Sequence, residues 1–267
     1  MTEIFYDKFK KLILILTKRL DSENKFIGRP IIYKYDFCIE TYINQLKTGN
    51  SWRQLEYLKN KKLDSVRKRI NKWINLGIFN KAYNILLKIY NKKFKKNNLF
   101  IDSTVIVNFS GSLNFGYNIK IKNKKSIKIS ALVDDNKVPH LFEVTPSTPH
   151  DAKIMEKIIE TNNFKNKEIN LIGDKGYIKN EIYKNIIKSQ NNISLITPKR
   201  INAKDQFLDD IETKLLKKRT IIENFFALIK KSYYKISKIS DKNETSYYNK
   251  LYTVSCLIIL KFVNFNN

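Results

Sequence analysis

Leu99-Phe-Ile-Asp-Ser-Thr-Val-Ile106 is an apolar, β-branched run broken by a single acid, Asp102. Ile169-Asn-Leu-Ile-Gly-Asp-Lys-Gly-Tyr177 repeats the idea, with Asp174 closing an apolar run. Both read as strands. A carboxylate at such a position has little to offer a core, so each aspartate reads as a functional group. Between the two runs, Tyr117 to Ile121, Ile127 to Val133 and Val138 to Val144 read as further strands, with Asp134-Asp-Asn-Lys137 a turn between the last two. Pro149-His-Asp151 opens a helix at Ala152 to Thr161, with Asp151 a cap or first-turn acid in preference to a place behind metal ligands. A strand at Ile169 to Ile172, a helix at Asn180 to Lys188 and a strand at Ile193 to Thr197 follow. Antiparallel strands succeeded by alternating helices and strands predict an α/β fold, a mixed sheet with helices packed on it.

A third acid joins the two aspartates. Glu223 lies within Arg219-Thr-Ile-Ile-Glu-Asn-Phe-Phe-Ala-Leu-Ile-Lys230, part of one long predicted helix from Glu212 to Tyr234. At about 100° per residue, Arg219 and Lys230 fall within roughly 40° of Glu223, on one stripe. Leu215, Ile222, Phe225, Phe226 and Ile229 form an adjoining apolar arc that can dock on a sheet. Two strand-borne aspartates and a helix-borne glutamate suit divalent metal ions, which activate a nucleophile and stabilise a leaving oxygen in phosphodiester chemistry. An Arg and a Lys beside the glutamate suit phosphate. An ordinary i, i+4 ion pair on a solvated helix accounts for Arg219 and Glu223 equally well.

The composition points to the same class of partner. Lys+Arg number 51 against 25 Asp+Glu, a net charge of +26, and such an excess calls for a polyanion. Basicity is densest before residue 101, where 23 Lys+Arg face 8 Asp+Glu. That first part reads as helical. Leu63, Val66, Ile70, Trp73 and Leu76 line one face of a helix, and Arg67, Lys68, Arg69 and Lys72 lie largely outside that face, available to DNA. Gly77 separates this helix from the next, Phe79 to Tyr90, in the manner of a helix-turn-helix. Asn91-Lys-Lys-Phe-Lys-Lys-Asn-Asn98 is a polar, basic link. It divides the chain into a helical DNA-binding domain, 1–95, and a catalytic domain, 96–267.

Two cysteines, Cys38 and Cys256, and two histidines, His140 and His150, exclude a zinc finger and a disulfide framework. The longest apolar stretch, Leu251 to Val263, contains Lys261 and is too short for a bilayer, so it reads as a buried helix and no membrane partner is expected.

Several blocks in order resemble the DDE transposases of bacterial insertion sequences, in the group of insertion sequence five. Leu46-Lys-Thr-Gly49, Trp52-Arg-Gln-Leu55, Ser65-Val66, Arg69, Trp73, Gly77 and Phe79 resemble the N-terminal helical segment. Phe100-Ile-Asp-Ser-Thr104 resembles the first catalytic block. Lys128-Ile-Ser-Ala-Leu-Val-Asp134 and Thr145-Pro-Ser-Thr-Pro-His-Asp151 resemble the strand and turn after it. Gly173-Asp-Lys-Gly-Tyr177 resembles the second catalytic block. Arg219-Thr-Ile-Ile-Glu223 with Lys230 resembles the third, with Leu216 where that signature has a tyrosine. The resemblance implies a ribonuclease-H-like catalytic core preceded by small helices. It implies metal-dependent cleavage and strand transfer at transposon ends, with Asp102, Asp174 and Glu223 holding two Mg2+ or Mn2+ ions. Arg219 and Lys230 would then grip the transposon end. The partners implied are double-stranded DNA, as transposon ends and target, and a second copy of the chain on that DNA. The location implied is the bacterial cytoplasm, at the nucleoid, or the nucleus or viral factory of another host. A non-transposing nuclease and a domesticated DNA binder are the alternatives, and terminal inverted repeats in the flanking DNA would separate them.

Overall fold

The computed structural model describes residues 3–23, 32–95, 97–109, 113–122, 124–161, 168–177, 188, 192–199, 209–239, 241 and 243–263. The chain forms two compact units, one of Met1–Lys93 with Ile229–Asn267, the other of Phe94–Leu228. The link predicted at residues 91–98 contains the first crossing between them. The second crossing, after Leu228, is one that a single cut along the sequence does not include.

The first unit is helical. It contains α1 (Glu3–Glu23), α2 (Tyr35–Thr48), α3 (Trp52–Lys59), α4 (Asp64–Asn75) and α5 (Ile78–Lys93). Gly49 stops α2 in a left-handed conformation, φ 78°, its N–H donating to the Gln45 carbonyl at 3.0 Å. Ser51 and Gln54 form a capping box that starts α3. Residues 60–63 join α3 to α4, a connection of helix-turn-helix length, and Gly77 (φ 66°) turns the chain into α5.

The second unit holds one six-stranded sheet: β1 (Asn98–Val107), β2 (Gly116–Asn118), β3 (Lys124–Val133), β4 (Pro139–Pro146), β5 (Ile169–Ile172) and β6 (Ile193–Ile196). β3 pairs antiparallel with β1 on one edge and with β2 and β4 on the other. β5 pairs parallel with β1, and β6 parallel with β5. The order β4-β3-β1-β5-β6, antiparallel then parallel, is the ribonuclease-H-like sheet that the resemblance implies. Helix α6 (Asp151–Thr161) follows β4. Residues 180–187 of the helix expected after β5 lie outside the described residues.

Alternation along the strands assigns the two faces. Leu99 and Ile101 of β1 and Leu132 of β3 pack with Ile154, Met155, Ile158 and Ile159 of α6, with Leu141 of β4 joining them. Full burial of each such side chain is worth about 1.5–3 kcal/mol. The neighbouring row, Asp102, Ala131 and Phe142, runs straight across β1, β3 and β4 on the opposite face.

The long helix expected from Glu212 to Tyr234 is broken. It forms α7 (Asp210–Lys217) and α8 (Thr220–Ser232), followed by the short α9 (Tyr234–Ser237). The break is made by i→i−3 bonds, Lys218 N–H to the Leu215 carbonyl and Arg219 N–H to the Leu216 carbonyl, both 3.1 Å. Phe225 of α8 meets Phe142 at 6.2 Å between ring centroids. The apolar arc read from the sequence thus docks α8 on the face that carries Asp102.

The chain then returns to the first unit with α10 (Glu244–Ile259), which is buried almost all round and packs on α5, with Tyr83 stacked on Tyr252 at 5.2 Å. Lys250 of α10 pairs with Asp241 at 2.6 Å, both buried. Among the described residues no helix is long and apolar enough to cross a membrane.

Candidate active site

The parallel register of β1 and β5 sets Phe100 beside Ile172. Two residues further along each strand direction stands an aspartate: Asp102 within β1, still paired with Ala131 of β3, and Asp174 just past the end of β5. Asp174 opens the turn Lys175–Tyr177, where its Oδ1 accepts the Gly176 N–H at 2.6 Å. Asp102 Oδ1 accepts the Ser103 N–H at 2.8 Å. Ser103 Oγ in turn meets Ser130 Oγ at 2.6 Å and the buried Tyr177 hydroxyl at 3.0 Å, tying the turn to β1 and β3.

The first residue of α6 adds a further acid. Asp151 Oδ1 bonds the Lys128 ammonium at 3.1 Å, and Lys128 also donates to the Pro149 carbonyl at 2.7 Å. Asp151 Oδ2 and Asp174 Oδ1 both lie close to one point, 3.4 Å and 2.9 Å from where a β-carbon on Gly176 would stand. The glycine leaves room for an oxygen of each carboxylate beside its α-carbon.

Burial pushes the Asp102 carboxyl above its ordinary range, and the charges of Asp174 and Asp151 push the same way. The Ser103 N–H and the Arg219 guanidinium oppose this. Burial, then the same three aspartates, also push Tyr177 far up, with the Ser103 hydrogen bond working against them. Arg219 reaches Glu223 Oε1 at 3.5 Å, across the i, i+4 spacing, and its Nε is buried without a hydrogen-bond partner.

The charges of Asp174, Asp151 and Arg219 thus all act on Asp102, and Arg219 also pairs with Glu223. Glu223 itself is exposed, and among the described residues no three His, Cys, Asp or Glu side chains stand close enough to hold a metal ion as they are. Lys230 lies two turns beyond Glu223 on α8. On α4, Arg67 pairs with Asp64 at 3.0 Å, and Lys68 and Lys72 are exposed. Arg69 is half-buried, donating to the Tyr33 carbonyl at 2.8 Å and lying over the Tyr35 ring.

Sequence reading favoured helix capping for Asp151 over a supporting place behind the metal ligands, and gave Lys128 no part in the site. The available signal was a lysine set between two isoleucines, Ile127-Lys-Ile129.

No curated protein sequence matches the chain. Among solved structures, it is similar to the Mos1 strand transfer complex at 11% identity, covering 94% of this chain and 86% of that one, TM-score 0.27. It is also similar to a Mos1 transposase paired-end complex with the left transposon end, at 12% identity, 90% and 84% coverage and TM-score 0.28. The sequence model described as the transposase DDE domain matches residues 93–260, more than half of the molecule and all of the sheet, so the chain belongs to the transposase DDE domain family.

Proposed function

We propose that this chain is a DNA transposase of the insertion-sequence-five type, which cleaves DNA at transposon ends and joins the freed strand to a target. The observation that carries this reading is the strand register that puts Asp102 and Asp174 each two residues beyond the paired Phe100 and Ile172, on a sheet against which the helix bearing Arg219 and Glu223 docks through Phe225. The chemistry of the donors suits a hard divalent ion, although the carboxylates would have to draw closer to hold one. The set is all carboxylate oxygen, and Asp102 is a partly desolvated anion raised further by its neighbours' charge, a strain that a cation relieves. Asp102 and Asp174 would hold Mg2+ or Mn2+, with Glu223 completing the set from α8, and two ions are the expected number. A bound pair of such ions activates the attacking oxygen and stabilises the leaving one. Asp102 is oriented by the Ser103 N–H, and Asp174 by the Gly176 N–H. Arg219 keeps an unused buried Nε–H, a donor suited to a phosphate oxygen of the transposon end. Lys230 extends that cationic stripe along α8. The basic surface of α4 would supply sequence-independent contacts to duplex DNA, and two copies would assemble on paired ends.

The test uses purified chain, end-containing duplex and Mg2+. Asp102→Asn, Asp174→Asn and Glu223→Gln should each abolish cleavage and leave DNA binding intact or tighter, since a negative charge near phosphate is removed. Full cleavage by one variant would remove that residue from the site. Cleavage without joining would favour a plain nuclease, and binding without cleavage a domesticated binder. Arg219→Glu or Lys230→Glu should weaken binding to cut ends more than to random duplex, whereas equal loss would leave them as general basic surface. Light scattering on the end complex should give two copies, and a single copy would remove the dimer.

A further inference from the structure

Lys128 stands out as a charge with no obvious reason to be where it is. It sits in β3, an interior strand of the sheet, its side chain 11% exposed, in a row with Val105 and Thr145. It is spent on the Pro149 carbonyl and on Asp151, and an oxygen of Asp151 and one of Asp174 both lie beside Gly176. Neighbouring carboxylates repel, and a third, Asp102, feels the charge of both. The ammonium offsets one of those three charges from behind, on the oxygen turned away from Gly176.

We propose that Lys128 is a positioning residue that sets the charge of the carboxylate site: by neutralising Asp151 it fixes how strongly Asp102 and Asp174 attract a divalent cation. The inference rests on the metal reading above. Its consequence is a pattern of signs. Without Lys128, Asp151 becomes an uncompensated anion beside the site, and cation affinity rises. Without the Asp151 charge, Lys128 becomes an uncompensated cation, and affinity falls. Removing both leaves the net charge unchanged, and affinity returns.

The experiment is Mn2+ titration of the full chain, followed by the electron paramagnetic resonance of the free ion, with a thermal melt of each variant. Lys128→Met should tighten Mn2+ binding and Asp151→Asn weaken it, each roughly tenfold for one unit charge at this range in a partly solvated site. The double variant should bind within a few-fold of the original chain, and Lys128→Arg, which keeps the charge, should match it. Should Lys128→Met not fold, Lys128→Gln takes its place. A folded Lys128→Met or Lys128→Gln chain with unchanged or weaker binding overturns the proposal, since a merely structural brace would lower the melting temperature and not tighten the ion. A double variant as weak as Asp151→Asn alone overturns it in favour of Asp151 as a direct ligand. Absence of Mn2+ binding by the original chain, or binding indifferent to Asp102→Asn, instead sinks the metal reading on which it stands.

Discussion

A methyl group at Gly176 would meet Asp174 Oδ1 at 2.9 Å and Asp151 Oδ2 at 3.4 Å. The first distance is too short, so the Asp174 carboxylate would have to turn off the Gly176 N–H that orients it. The residue is exposed, and its backbone is not in the left-handed region. Alanine there should cost little stability, because a gain of about 0.4–1 kcal/mol from a less flexible unfolded chain offsets part of the crowding. The expected outcome for Gly176→Ala is therefore a weakened Mn2+ titration with a melting temperature near that of the original chain. A large drop in melting temperature with unchanged affinity would show that the glycine serves the fold alone. At this scale the sequence was partly legible. Asp102 and Asp174 announce themselves because an acid in an apolar strand needs a reason. Lys128 does not, because a strand lysine reads as a solvent-facing residue until the fold shows its sheet face covered and its ammonium bonded to Pro149 and Asp151 at the start of α6.

The elements were legible where periodicity alone decides them and obscure where local bonding does. The five longer strands follow from their β-branched runs, and the turn before β4 from Asp134, whose Oδ1 accepts the N–H groups of Asn136 and Val138. Helix α3 was missed, since its eight residues are too few to show a repeat, although Ser51 and Gln54 carry its start signal. The break between α7 and α8 was invisible, because the apolar spacing runs on through Lys218 and Arg219 while the backbone tightens. One element end is a sharp test. A β-carbon on Gly49 would lie 2.0 Å from Cδ1 of the Tyr234 ring, and the residue's φ of 78° is itself unfavourable for a side chain. Left-handed strain of about 1–2 kcal/mol and overpacking of about 1–3 kcal/mol act together at that position. Gly49→Ala should thus lower stability by roughly 2–5 kcal/mol in a urea melt, and a loss under 1 kcal/mol would mean that α9 moves aside freely.

At the scale of the molecule, the helical unit is drawn from both sides of the sheet-bearing one. A fragment of residues 1–95 lacks α10 and so leaves wet the α5 face that α10 covers. It should melt without cooperativity and bind a hydrophobic dye. The same fragment joined by a flexible linker to residues 229–267 should melt cooperatively, and equal melts for the two would show that α10 is dispensable. In the full chain, replacing Arg67, Lys68 and Lys72 with alanine should flatten the salt dependence of duplex binding by up to about 0.9 in slope per lost phosphate contact. Arg69→Ala should instead cost stability, because that guanidinium is tied to Tyr33 and Tyr35. The nesting also sets a clock. A ribosome makes α1 to α5 first and α10 only after every strand of the sheet has been translated, so the helical unit cannot close until the sheet-bearing unit is already synthesised. A message cut short anywhere within residues 94–228 then yields a polypeptide with an open α5 face, a target for proteases rather than a stable competitor for DNA.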